Sequence, residues 1–186
     1  MIEFFVSYRS ADEPHAAALL AKVLSSRAGS ERVFLDTASM TAGARFSDDI
    51  RKALSSCHTL LAIIGERWMV TEADGTRRID EPDDYVRREI AYALACDIEV
   101  IPVLVGNARL PERHMLPPDI ADLVMRQTAV LRSRDQLADA ERLARQLAPH
   151  SQTQERSATV TNTFNGPVTA RTIGISLGPT YGGPDT

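Results

Sequence analysis

The chain has 186 residues, room for one domain of ordinary size plus a tail, with a core able to stand without staples. Its 44% apolar and 25% charged residues are those of a soluble globular protein. A formal net charge of −4 with no dense basic run argues against a nucleic-acid or anionic-membrane surface.

Met1 is followed at once by Ile2-Glu3-Phe4-Phe5-Val6, a buried-strand pattern that leaves no room for a signal peptide. No apolar run is long enough to span a bilayer, so the expected setting is cytoplasmic. Ser7-Tyr8-Arg9 end the first strand. Ser10 and Glu13 have capping-box spacing, and Leu19, Leu20, Val23 and Leu24 form the apolar face of a helix that stops near Gly29. Arg32-Val33-Phe34-Leu35-Asp36 predicts a second short strand, and Thr37 to Arg45 a loop containing Gly43. Phe46, Ile50, Leu54 and Cys57 then line the buried face of a second helix.

Thr59-Leu60-Leu61-Ala62-Ile63-Ile64 is a continuous apolar run, as expected of a strand covered on both faces. Gly65 to Pro82 is a polar loop that holds the only tryptophan, Trp68. Glu99 to Val105 predicts a fourth strand, although Pro102 removes one ladder donor and counts against a central position. Ile120 to Leu123 predicts a short helix and Ala129-Val130-Leu131 a fifth strand. Ser133 and Gln136 again fit a capping box, opening a helix with Leu137, Ala140, Leu143 and Leu147 inward. Cys57 and Cys96 both fall in apolar helical patterns and read as buried, reduced thiols. His15, His58, His114 and His150 are isolated and read as surface or packing residues, so no metal site is expected.

Alternating strands and helices predict an α/β fold with a parallel sheet covered on both faces, whose ligand crevice lies outside the C-terminal strand ends. Ser7-Tyr8-Arg9, Asp36 and the loop after Ile64 all belong to that edge. The helix predicted from Asp83 to Leu94 begins there too. Val86, Ile90, Ala93 and Leu94 share its apolar stripe, while Tyr85, Glu89 and Tyr92 fall on a flanking strip. This spacing predicts a Glu89 carboxylate at the border of core and surface, where it is partly desolvated yet able to reach a ligand. The alternative is a solvated glutamate paired with arginine on its own helix.

Three of these stretches, in order, resemble the Toll/interleukin-1 receptor (TIR) domain of the bacterial kind over residues 1–148. Phe4-Phe5-Val6-Ser7-Tyr8-Arg9 is similar to that family's first box. Val33-Phe34-Leu35-Asp36, with Gly43 and Phe46 beyond, resembles its second strand and assembly loop. Asp84-Tyr85-Val86-Arg87-Arg88-Glu89-Ile90 resembles the segment bearing the catalytic glutamate of NAD-cleaving members, with Tyr85 where those often carry Trp. The resemblance implies a flavodoxin-like fold with five parallel strands. It also implies cleavage of the nicotinamide–ribose bond of NAD, with NAD as substrate and no cofactor. Nicotinamide in NAD is already cationic and leaves without a general acid, and a carboxylate can stabilise the oxocarbenium-like transition state.

Glu89 would take that role, Tyr85 would stack on a ring of the dinucleotide, and Phe46 would add a wall. Tyr8 and Arg9 would line the pocket or contact phosphate, and for Arg9 a surface ion pair with Asp12 or Glu13 is equally open. Trp68 is either a lid or a half-buried anchor. Asp36 either binds ribose or ties down its own loop. A response-regulator receiver shares this order of elements, but it needs acids where Ser7-Tyr8 and Gly65 stand and a lysine after the fifth strand, where Arg132-Ser133 stand.

After His150 the composition changes. Residues 149–157 read as a linker, and residues 158–186 are rich in Thr, Gly and Pro with almost no charge. Val160, Asn162, Phe164, Gly166, Val168 and Ala170 alternate at strand period, ending near Ile173. The segment is either disordered or self-templating, and it resembles short amyloid-forming signalling motifs similar to RIP homotypic interaction motifs. In that case Phe164, Gly166, Val168 and Ile173, with Gly43 in the assembly loop, are self-assembly residues. The expected partners are further copies of the chain through TIR–TIR contacts and an upstream receptor with a matching motif. The function expected is an assembly-activated NAD glycohydrolase, with or without cyclisation, in bacterial antiphage defence or cell death. A TIR scaffold that consumes nothing is the alternative.

Overall fold

The computed structural model describes residues 1–35, 48–72 and 75–148. Asp36, Gly43, Phe46, the linker and the whole tail, with Phe164, Gly166, Val168 and Ile173, lie outside the described residues.

Five strands, β1 (Phe4–Ser7), β2 (Val33–Leu35), β3 (Thr59–Ile64), β4 (Glu99–Val105) and β5 (Ala129–Leu131), form one parallel sheet in the order β2-β1-β3-β4-β5. The helices are α1 (Pro14–Ala28), α2 (Asp48–Ser56), α3 (Tyr85–Ala95) and α4 (Gln136–Leu147). Strand residues alternate between two cores, as a two-residue period requires. Phe4, Val6, Leu61, Ile63, Val103 and Val105 pack with Leu20 and Leu24 of α1 and Leu143 of α4. Phe5, Leu60, Ala62, Ile64 and Val100 pack with Ile50 and Leu54 of α2 and Val86, Ile90 and Ala93 of α3. Each such fully buried aliphatic side chain contributes roughly 1.5–3 kcal/mol, so the continuous apolar run of β3 follows from its place in the middle of the sheet.

Several local expectations are corrected. Neither capping box forms: the residues before α1 and α4 that cap them are Glu13 and Asp135, and neither makes a side-chain cap bond. Asp12 is drawn instead to the loop after β3. α1 does stop at Gly29, whose φ of 103° is a region glycine enters freely. Pro102 sits in a strand with neighbours on both sides, but β5 pairs only with Val103 to Val105. The proline therefore occupies a part of β4 that has a strand on one side alone, which is where a missing donor is tolerated. Leu137 is 54% exposed rather than inward. Cys57 is buried, and burial pushes its thiol up to about 11, whereas Cys96 is exposed at the end of α3. Among the described residues no helix is long and apolar enough to cross a membrane, and no cluster of His, Cys, Asp or Glu could hold a metal ion.

Candidate functional site

From β1 the chain crosses to β2 on one side, and β3 lies on the other, so the sheet's order reverses at the C-terminal end of β1. That reversal is where doubly wound sheets open a crevice. A cavity of about 200 Å³ lies there, walled by Tyr8 and Arg9 after β1, Trp68 and Val70 after β3, and Tyr85 and Val86 at the start of α3.

The loop after β3 is held in place by Asp12, whose two carboxylate oxygens accept from the Gly65 and Arg67 backbone N–H groups at 2.7 and 2.8 Å. A Cβ at Gly65 would collide with that carboxylate and with Glu13 Cγ, so the close approach demands glycine. Burial, reinforced by the neighbouring Asp12 and Glu66 carboxylates, pushes the Glu13 carboxyl up.

Arg9 lines the cavity, and the reading it overturns is the surface ion pair. It is 9% exposed, and its partner is neither Asp12 nor Glu13 but Asp84, reached by two parallel bonds of 2.7 and 2.9 Å. Its Nε donates to the Trp68 carbonyl at 3.1 Å, and its guanidinium lies over the Trp68 ring, 5.7 Å from the centroid. Asp84 at the same time caps α3, accepting from the Arg87 backbone N–H at 2.9 Å. One fork thus ties together the end of β1, the loop after β3 and the first turn of α3.

Trp68 is an anchor rather than a lid, since it is 2% exposed, and it forms a cavity wall as well. Its indole N–H is buried with no hydrogen-bond partner among the described residues, a state that costs about 1–3 kcal/mol. Tyr8 is buried and Tyr85 half-buried, both in the wall.

Glu89 departs from expectation. It is fully buried rather than on a border, and it is not part of the cavity wall. It lies one turn beyond Tyr85 on α3. Its side chain is covered, whereas Tyr85 and Val86 in the turn before it line the cavity. Tyr8, Arg9, Trp68 and Tyr85 are therefore brought together, with Glu89 close by but covered. Sequence reading missed Asp12 and Asp84 as the residues that shape the site, and Arg67, Glu72 and Arg78 as its rim. Asp84 had left only the signal of an acid at a helix start.

Two of the solved structures that the chain matches are these. The TIR domains of the activated Roq1 resistosome directly recognizing the pathogen effector XopQ are 16% identical, with a TM-score of 0.45 over 80% of this chain and 84% of that one. A metazoan TIR-STING receptor from C. gigas in complex with 2′,3′-cGAMP is 14% identical, with a TM-score of 0.46 over 78% of this chain. The match spans 39% of that receptor's own length. Residues 4–148 match the family model of the TIR domain, most of the chain, so this protein belongs to the TIR domain family.

Proposed function

We propose that this TIR domain cleaves the nicotinamide–ribose bond of NAD, and that the form described here is its latent state. The observation that carries the reading is the cavity at the reversal of the sheet. Three aromatic side chains wall it, and a carboxylate stands one helical turn behind one of them. Aromatic faces suit the flat rings of a dinucleotide. A carboxylate suits the charge that develops on ribose as a cationic nicotinamide departs. Glu89 is the proposed catalytic residue, and Tyr8, Tyr85 and Trp68 contact substrate.

The covered carboxylate supports a reading in which activity depends on assembly. With Glu89 at zero exposure, the first turn of α3 has to shift before ribose can reach it. Contacts between copies of the chain, brought close by the tail, are the proposed source of that shift. The setting is cytoplasmic and the role is cell-death signalling in bacterial defence. A non-enzymatic scaffold is the second reading, favoured by the same burial of Glu89.

Nicotinamide release from NAD by the full chain, concentrated and clustered with a crowding agent, decides between them. Wild-type protein is expected to release nicotinamide. Glu89→Gln, which keeps the side chain's shape, is expected to lower the rate by about 100-fold or more with an unchanged denaturation midpoint. Clustered wild type that releases nothing, or a Glu89→Gln variant as active as wild type, establishes the scaffold.

A further inference from the structure

Three cations and three carboxylates line the cavity: Arg9, Arg67 and Arg78 against Asp12, Glu72 and Asp84. Half of them are already committed. Asp12 uses both oxygens on backbone N–H groups. Asp84 uses both on Arg9 and one again on Arg87. Arg9 directs all three of its nitrogens to Asp84 and the Trp68 carbonyl. A guanidinium so enclosed has little left to offer an incoming anion.

The remaining charges sit on the rim formed by the loop after β3. Arg67 is exposed and makes no ion pair among the described residues. Arg78 is 64% exposed at its side chain, and its contact with Glu72 is a loose 3.8 Å between two exposed groups. Such a pair is screened by water and contributes little, so both guanidiniums are available. Arginine forks match phosphate oxygens in pairs. An aromatic interior beneath a cationic rim is the chemistry of a nucleotide site, with rings inside and phosphates at the mouth.

We propose that Arg67 and Arg78 hold the diphosphate group of the substrate, while Arg9 is a positioning residue that shapes the cavity without touching phosphate. The proposal rests on the reading of this cavity as a dinucleotide site, and it names the residues that select a phosphate-bearing ligand there.

ADP and adenosine are the probes, because neither carries nicotinamide and neither requires cleavage. Titration calorimetry with the full chain is expected to give ADP about a tenfold or larger advantage over adenosine. That advantage is expected to shrink between about 50 mM and about 300 mM salt. The double variant Arg67→Ala/Arg78→Ala is expected to erase it while leaving adenosine binding unchanged. Arg132→Lys, at a residue that does not line the cavity, is expected to retain it. Equal binding of ADP and adenosine by wild type overturns the proposal. So does an ADP advantage that survives in the double variant. Nicotinamide release by wild type alongside either result leaves the NAD reading standing and removes only the assignment of the phosphate-binding residues.

Discussion

Two arginine–aspartate forks stand at the C-terminal edge of the sheet, built alike and set differently. Arg9 follows β1 and grips Asp84 at the start of α3, and Arg132 follows β5 and grips Asp139 in the first turn of α4. Both carboxylates are buried, with side chains 7% and 1% exposed. The cations differ: the Arg132 side chain is 56% exposed and shares Asp139 with Arg142, whereas Arg9 is buried against Trp68. Arg132 fastens one edge strand to the helix that follows it. Arg9 joins three segments that meet at a cavity. Burying the cation, rather than forming the pair, is what turns a fastener into part of a site.

The comparison breaks most visibly at Asp84. Asp84→Ala leaves a buried arginine uncompensated, and the expected cost is about 3 kcal/mol, with about 1 kcal/mol more for the lost helix cap. Asp84→Asn keeps a capping oxygen and is expected to fall between wild type and the alanine variant. Urea denaturation of the three proteins measures both. A total loss below about 1 kcal/mol would place this fork with ordinary surface pairs and remove the distinction.

How much of this was readable in the sequence depends on the range over which each feature is determined. The run Thr59–Ile64 and the spacing of Val86, Ile90 and Ala93 are local patterns, and both gave the observed elements and their buried faces. Leu137 fits the same kind of pattern and is exposed, because it stands off the face that Asp139, Ala140, Leu143 and Ala144 bury. Proximity in sequence offers Arg9 the carboxylates of Asp12 and Glu13, while its partner is 75 residues away and meets it only through the sheet. The burial of Glu89 has the same origin. A helical wheel puts it beside the apolar stripe, and whether that strip is covered depends on elements the wheel does not contain. Cys96 inverts the case: its pattern looked apolar, but it stands where α3 ends.

A smaller effect sharpens the comparison from the other fork. Hydrogen bonds from the Arg132 side chain, then from its backbone, hold the Asp139 carboxyl well below the usual carboxylate range. A carboxylate whose folded value is depressed contributes stability that is full above its unfolded value of about 4 and is lost as pH falls toward its folded value. Asp139→Asn retains an acceptor for the Arg132 backbone N–H but removes the charge and the second acceptor oxygen, the one that faces Arg132 Nη2 and Arg142 Nη1. Wild type is therefore expected to exceed the variant in stability at pH 7. The gap should close as acid is added below about pH 4, as followed by denaturation midpoints across pH. A gap that stays constant across that range would mean the charge of Asp139 contributes nothing.

The smallest expected effect separates the two cations directly. Lysine keeps the charge of arginine but loses the planar fork and the flat face that stacks on a ring. At Arg132 the cation is more than half in water, and Arg142 lies 3.0 Å from the same carboxylate. Arg132→Lys is therefore expected to leave the denaturation midpoint almost where it was. Arg9→Lys gives up one of two bonds to Asp84, the bond to the Trp68 carbonyl and the contact over the Trp68 ring, all in a buried setting. It is expected to lower the midpoint clearly and to change the fluorescence of Trp68, the chain's only tryptophan. Equal shifts in the two variants would show that exposure of the cation does not distinguish the forks, and that the wall around Trp68 is held by packing alone.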